Sequence, residues 1–257
     1  LGYVLANERC GVTAALASVR FGWPYYWSQI IVRSDSGIES IEDLEGKTWG
    51  VPSVTSTSGY LVPLAQLRDA GVEPGEIVEF GGGHTAAALA VANGDVDFAT
   101  TFFSPPLLPN RNWNPMTDSP EIWRDAGAPA ELVDGRVFVA GGPSEEGYRI
   151  LDARAAAMES YPTIFDETTI LSISDEIPND TMSFSSEFPL GLANQIARAV
   201  SVYVSSDDCL EPPADVVTLC SDSFYSWTGA EPVFDSAFDP VRTMIRELGL
   251  TEEDILN

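Results

Sequence analysis

A chain of 257 residues, 44% of them hydrophobic, is long enough to bury the core of one large or two modest domains. Thirteen Lys and Arg face 39 Asp and Glu, and the resulting net charge of -26 repels polyanions, which argues against nucleic acid or an anionic membrane as a partner. No apolar run approaches the roughly 20 residues of a membrane span, and one histidine without any Cys-x-x-Cys pair offers no structural zinc site, so neither membrane insertion nor a metal or other cofactor is expected.

The predicted elements alternate at short spacing. Residues 29–32 (Gln-Ile-Ile-Val) and 48–51 (Thr-Trp-Gly-Val) read as strands, with a helical turn at 40–44 between them that Gly46 closes. A helix over 61–70 tolerates Pro63 in its first turn and stops at Ala70-Gly71. A strand at 76–80 leads into Gly81-Gly82-Gly83-His84, then an apolar helix over 85–92, its stop at Asn93-Gly94, and a buried strand at 96–100. This alternation predicts βαβ units, hence an α/β fold with mostly parallel sheets and helices on both faces. Residues 104–147 are rich in Pro, Asn, Asp and Gly and read as an irregular insertion that carries Trp113 and Trp123. Beyond it the pattern predicts an amphipathic helix at 148–160, a strand at 168–173, and helices at 191–204 and 240–248.

The densest chemical signal is the run from Ser53 to Leu61, Ser-Val-Thr-Ser-Thr-Ser-Gly-Tyr-Leu, directly before a helix. Free amides and the positive end of the dipole would point at whatever lies beside Ser56, Thr57 and Ser58, and Gly59 would let a ligand approach the backbone. The same residues also suit an ordinary N-cap in a hydroxyl-rich turn. In so acidic a chain, a small anion would be held by closely placed neutral donors in preference to a bed of cations; Lys47 is the only lysine. Cys209 and Cys220 bracket a loop with Pro212 and Pro213, which fits a short bridge in an oxidising compartment and leaves Cys10 over.

Four features occur in order: Tyr25-Tyr26-Trp27-Ser28 leading into the strand at 29–32, Ser56-Thr57-Ser58-Gly59-Tyr60-Leu61-Val62-Pro63, Gly83-His84 before an alanine-rich helix, and Ile177-Pro178-Asn179-Asp180. Together they resemble the phosphate, phosphite and phosphonate binding proteins of ABC importers. The resemblance covers residues 3–96 and 171–250. It implies a type II periplasmic-binding fold: lobe I from residues 1–28 with 183–257, and lobe II from 29–182, including the insertion at about 104–147. It also implies a small phosphorus oxyanion as ligand, an ABC permease as partner, no catalytic residue, and a place outside the cytoplasm, periplasmic or lipid-anchored at the cell surface.

The family's ligand residues fall on Tyr26, Ser56, Thr57, Ser58, Gly59, His84 and Asp180. Tyr26 suits either a phenol donor or packing beside Trp27. His84 suits either an anion contact, neutral or charged, or a structural role. Asp180 suits a turn, or a carboxylate that accepts a proton from a monoprotonated ligand and so rejects fully ionised anions. Two departures from the family stand out. Residues 101–106 carry no acidic group to pair with an aminoalkyl phosphonate, and the family's first βαβ unit would precede Leu1 in a longer precursor. A ligand-consuming enzyme or a sensor domain on the same fold is the competing reading; the chain has no Gly-x-Ser-x-Gly elbow for the former.

Overall fold

The computed structural model describes residues 1–141, 147–222 and 224–251. In chain order the elements are α1 (Gly2–Cys10), β1 (Thr13–Arg20), β2 (Tyr25–Arg33), β3 (Trp49–Val51), a five-residue π-helical turn (Thr57–Leu61) that runs straight into α2 (Val62–Asp69), β4 (Ile77–Glu79), α3 (Gly83–Asn93) and β5 (Phe98–Phe103). They continue with β6 (Ala130–Val133), β7 (Arg136–Val139), β8 (Tyr148–Ile150), α4 (Ile164–Glu167), β9 (Thr168–Ile173), β10 (Ile177–Pro178), β11 (Thr181–Phe184), α5 (Leu190–Tyr203), α6 (Asp207–Leu210), β12 (Trp227–Pro232) and α7 (Asp239–Glu247).

The chain forms two compact units, one of Trp27–Asp175 and the other of Leu1–Tyr26 with Glu176–Asn257. The passages between them thus lie at residues 26/27 and 175/176, whereas the sequence placed them at 28/29 and 182/183. The difference has a local cause: β10 pairs antiparallel with Tyr25 and Tyr26, so residues 177–178 stay with the start of β2. Residues 252–257, assigned to lobe I from sequence, lie outside the described residues.

In the unit of Trp27–Asp175 the strand order is β9-β2-β5-β3-β4. Side chains alternate across this sheet with period two. Ile30, Val32, Trp49, Val51 and Phe98 pack with Leu67 of α2 on one face. Ile31 and Ala99 pack with Ala87, Ala88 and Val91 of α3 on the other, so both faces are covered. The pairing is mixed and not mostly parallel: β3 runs parallel to β4 and β5, but β2 runs antiparallel to both β5 and β9. Strand-helix-strand spacing fixes direction only for β3-α2-β4-α3-β5; period-two burial is the same in either direction for β2 and β9.

Part of the segment expected to be irregular is ordered as the antiparallel pair β6-β7, to which β8, just beyond that segment, adds a third antiparallel strand. Val137, Val139 and Trp123 from this segment join the core over α3. Residues 142–146 of it lie outside the described residues. No helix spans 148–160. Tyr148–Ile150 pairs with β7, and a new 3-10 turn, Ala153–Ala157, starts where the Asp152 carboxylate accepts the Arg154 N–H. The apolar spacing that read as one helix face is shared between a strand and a turn.

That Asp152–Arg154 contact belongs to a buried ionic cluster. Arg154, fully buried, pairs with Asp152 at 2.9 Å and with Glu121 at 2.8 Å, while Arg124 also reaches Glu121 at 2.8 Å. Glu121 further accepts from Thr169 Oγ1, so the cluster joins the insertion, the 3-10 turn and β9. Two cations meet two carboxylates, and the cluster is neutral.

The unit of Leu1–Tyr26 and Glu176–Asn257 is built on an antiparallel sheet β11-β1-β12. Val4 of α1 and Val241 of α7 share a small core with Ala14 and Phe238. Cys209 and Cys220 are joined in a disulfide, with Cα atoms 5.5 Å apart, beneath Val204 and Trp227; Cys10 is free and exposed. No described helix is long and apolar enough to cross a membrane.

The ionic cluster generates a stability prediction. Burial raises the pKa of Glu121, but the charge of Arg154 and the contact with Arg124 outweigh it and hold the carboxyl at about 2 against an ordinary 4.5. Glu121→Gln leaves the buried Arg154 with one carboxylate for two guanidinium groups. It should cost about 3 kcal/mol in chemical unfolding at neutral pH. Because the folded-state pKa is depressed, this contribution is complete above pH 4.5 and lost as pH falls through about 2. The gap between wild type and variant should narrow across that window, and a gap that widens with acid would contradict the assignment.

Candidate functional site

The strands β3 and β4 end flush, with Val51 opposite Glu79, so the loops that follow them emerge side by side. The first loop enters the turn at Thr57; the second enters α3 at Gly83. Two helix starts thus lie beyond the carboxyl ends of adjacent parallel strands, the usual ligand position of an open α/β sheet.

The Ser56 turn is held in an unusual way. Ser56 Oγ accepts from Gly59 N–H at 3.0 Å, and Ser56 O accepts from Tyr60 and Leu61 N–H, each at 3.0 Å. The outward carbonyls of the same peptides are held from below by the strands. Ser28 Oγ of β2 donates to Ser58 O at 2.6 Å, and Thr100 Oγ1 of β5 donates to Gly59 O while accepting from Trp49 Nε1–H at 2.8 Å. The Thr57 and Ser58 amides have no acceptor among the described residues. Ser56 Oγ, an acceptor toward Gly59, keeps its own proton for another partner. No Lys or Arg takes part in these bonds.

The turn itself requires Gly59 on steric grounds. A Cβ there would lie 2.1 Å from Pro52 Cγ and 2.8 Å from Ser56 Oγ, so the glycine makes room for the turn itself. The glycine run before α3 acts likewise: Gly83 adopts φ 73°, and a Cβ on Gly82 would meet Ala86 at 2.7 Å.

His84 stands in the first turn of α3, edge-on to Phe102. Its Nδ1 accepts from Phe102 N–H at 3.2 Å. Burial, with no carboxylate to offset it, lowers its pKa to about 4. The imidazole is therefore neutral at physiological pH with its proton on Nε2, leaving one donor. The His84 and Thr85 amides have no acceptor among the described residues. Ser28 and Phe102 are direct partners in the β2–β5 ladder, so one strand pair anchors both the Ser56 turn and His84.

Tyr26 and Asp180 belong to the other unit. Tyr26 faces Ile177 in the β2–β10 pair. The turn beyond it is fixed by buried Asn179, whose Nδ2 donates to Ser18 O and Trp23 O at 3.1 and 2.8 Å. Asp180 follows; its carbonyl accepts from Ser18 N–H, and its exposed carboxylate accepts no hydrogen bond from a described residue. Among the described residues no three His, Cys, Asp or Glu are grouped to hold a metal ion.

The family profile of periplasmic substrate-binding proteins of ABC phosphonate transporters matches residues 1–211. The chain belongs to that family. It is 41% identical over 87 residues to the phosphonates-binding periplasmic protein of Escherichia coli, a match that covers 31% of this chain and 25% of that one. It is 37% identical over 113 residues to the phosphate-import protein PhnD of Mycolicibacterium smegmatis, covering 39% and 35% respectively. These matches span only a quarter to about a third of the curated relatives. PhnD1 of Prochlorococcus marinus, solved in complex with methylphosphonate, superposes with a TM-score of 0.59 at 14% identity, covering 98% of this chain and 76% of that one. This likeness shows the type II periplasmic-binding fold.

Ser28, Thr100 and Trp49, which hold the Ser56 turn, were not among the residues that the sequence assigned to the ligand. The available signal was a hydroxyl within an otherwise apolar strand, at Ser28 and again at Thr100-Thr101. Such a residue is buried at a cost unless it has a partner to hold.

A titration follows from the His84 geometry. The folded-state pKa lies below the ordinary 6.5, so between about pH 6.5 and 4 the unfolded chain binds the proton and the folded one does not. Stability should fall as pH drops through that window, and His84→Gln should remove that part of the slope. In nitrogen-detected NMR at pH 7 the imidazole should show the Nε2–H tautomer; a charged ring at that pH would refute the assignment.

Proposed function

We propose that this protein captures a small phosphorus oxyanion (phosphite, a phosphonate or phosphate) outside the cytoplasm and delivers it to the permease of an ABC importer, without transforming it. The observation that carries this reading is the pair of unpartnered amides at Thr57 and Ser58, locked in place at a helix start in a member of a phosphonate-binding family. Amides fixed at a helix start bind oxyanions without a cation. The names of the relatives, a phosphonates-binding protein and a phosphate-import protein, agree with that ligand class. In this reading Ser56, Thr57, Ser58 and His84 supply donors, and Tyr26 and Asp180 are ligand residues on the strength of the family resemblance.

His84 also argues for a binder over a hydrolase. A Ser-His-Asp relay needs the imidazole Nδ1–H to donate to a carboxylate, but here Nδ1 accepts from a backbone amide. The disulfide between Cys209 and Cys220 suits an oxidising compartment, in line with a periplasmic or surface-anchored receptor.

Calorimetry of the full-length protein against phosphite, methylphosphonate, phosphate and sulfate should show at least one phosphorus anion bound far more tightly than sulfate. Ser56→Ala and Thr57→Ala should each weaken that binding by about 1 to 3 kcal/mol, since each leaves a ligand oxygen without a donor. Asp180→Ala should weaken it most at pH values where the ligand carries one proton. Tighter binding of sulfate, or an Asp180→Ala profile that matches wild type at every pH, would refute the selection by protonation.

A further inference from the structure

Ser28 and Thr100 are fully buried hydroxyl residues on strands whose other side chains on that face form an apolar core. Each donates its proton to a carbonyl of the Ser56 turn, at Ser58 and at Gly59. The amides of those same two peptides, Gly59 N–H and Tyr60 N–H, are bound by Ser56. Both peptide planes are therefore fixed at both ends, and neither can rotate without breaking two hydrogen bonds. The preceding amides, Thr57 and Ser58, are the ones left unpartnered.

Ser28 has a further connection. Its backbone N–H donates to Ser174 Oγ at 2.9 Å and its carbonyl accepts from Ser174 N–H at 3.0 Å. Trp27 and Asp175, the neighbours of Ser28 and Ser174, are the residues at which the chain passes between the two units. One residue thus touches the anion turn with its side chain and the second passage with its backbone.

We propose that Ser28 and Thr100 are positioning residues for oxyanion binding: their hydroxyls lock the Ser58 and Gly59 carbonyls so that the Thr57 and Ser58 amides converge on the ligand. The inference rests on the oxyanion reading above. Without these donors the two buried carbonyls are left unsatisfied, and each peptide turns to find another partner. The amides at the helix start then lose their common direction. Preorganisation, and with it affinity, is lost although no ligand contact has been removed.

The test uses variants that change the donor and keep the volume. Thr100→Val is isosteric and cannot donate; Thr100→Ser keeps the hydroxyl. Ser28→Cys replaces the hydroxyl with a weak donor of similar size. Calorimetry of the full-length protein with phosphite, methylphosphonate and phosphate should show Thr100→Val and Ser28→Cys about tenfold or more weaker for whichever anion wild type binds, with Thr100→Ser near wild type. Amide exchange measured on the ligand-free proteins should be faster at Gly59 and Tyr60 in Thr100→Val and Ser28→Cys, and unchanged in Thr100→Ser. A purely structural role would lower the melting temperature and leave the affinity of the folded protein intact; that result overturns the proposal alone. Failure of wild type to bind any of the three anions overturns the oxyanion reading and this inference with it. If Thr100→Val cannot be recovered folded, Ser28→Cys and the exchange rates decide.

Discussion

A net charge of -26 is the constraint around which this molecule is arranged. An anion that approaches meets a repulsive field, and salt removes most of it only beyond about 8 Å. Close in, attraction must come from donors whose strength does not depend on exposed cations. The Ser56 turn and the start of α3 offer donors of this kind: backbone amides, hydroxyls and the neutral imidazole of His84, set over buried strands. Dipoles fixed in advance need no reorganisation when the ligand arrives, and they gain strength where water is thin.

Fixing them demands much of the fold. The turn needs Gly59 because Pro52 and Ser56 fill the space a side chain would take. It needs a hydroxyl below each of two carbonyls, and each of those lies in an apolar layer with Trp49, Phe98 and Ile30 around it. Thr100 is itself held by Trp49 Nε1, whose ring stacks on both Tyr60 and Phe98. The aromatic layer under α2 therefore acts on the turn directly, through a single hydroxyl. Register does the rest: the pairing of Ser28 with Phe102 puts the anchor of the turn opposite the anchor of His84.

Most of the lobe that carries the Ser56 turn was legible in the sequence because its signals are local. The strand at 168–173 appears with the predicted bounds, and α2 and α3 lie within a few residues of expectation. The helix start at Thr57 was marked by its hydroxyls and His84 by its glycine run. What escaped depends on tertiary partners. The antiparallel placement of β2 and β9 has no period of its own; the strand β8 and the turn at 153–157 share apolar residues that also fit one helix face; and the β6–β7 hairpin is drawn into order by the core over α3. At Gly59 the sequence could not separate two causes, since a close approach by ligand and a close approach by Pro52 leave the same residue type behind.

A site of neutral donors changes what pH can do. With His84 uncharged down to about pH 4, the donors of this lobe carry the same charge through the whole physiological range. Any pH dependence of anion binding at these donors would then come from the ligand itself. A phosphorus oxyanion gains or loses a proton in that range and sulfate does not, so in the proposed reading a carboxylate acceptor would distinguish them by proton count at equal size. Charge alone cannot make that choice, because a cationic site would favour the more highly charged anion. In the proposed reading the acidic surface and the uncharged donors thus act together: the former weakens all anions, and the latter give no advantage to the more highly charged form.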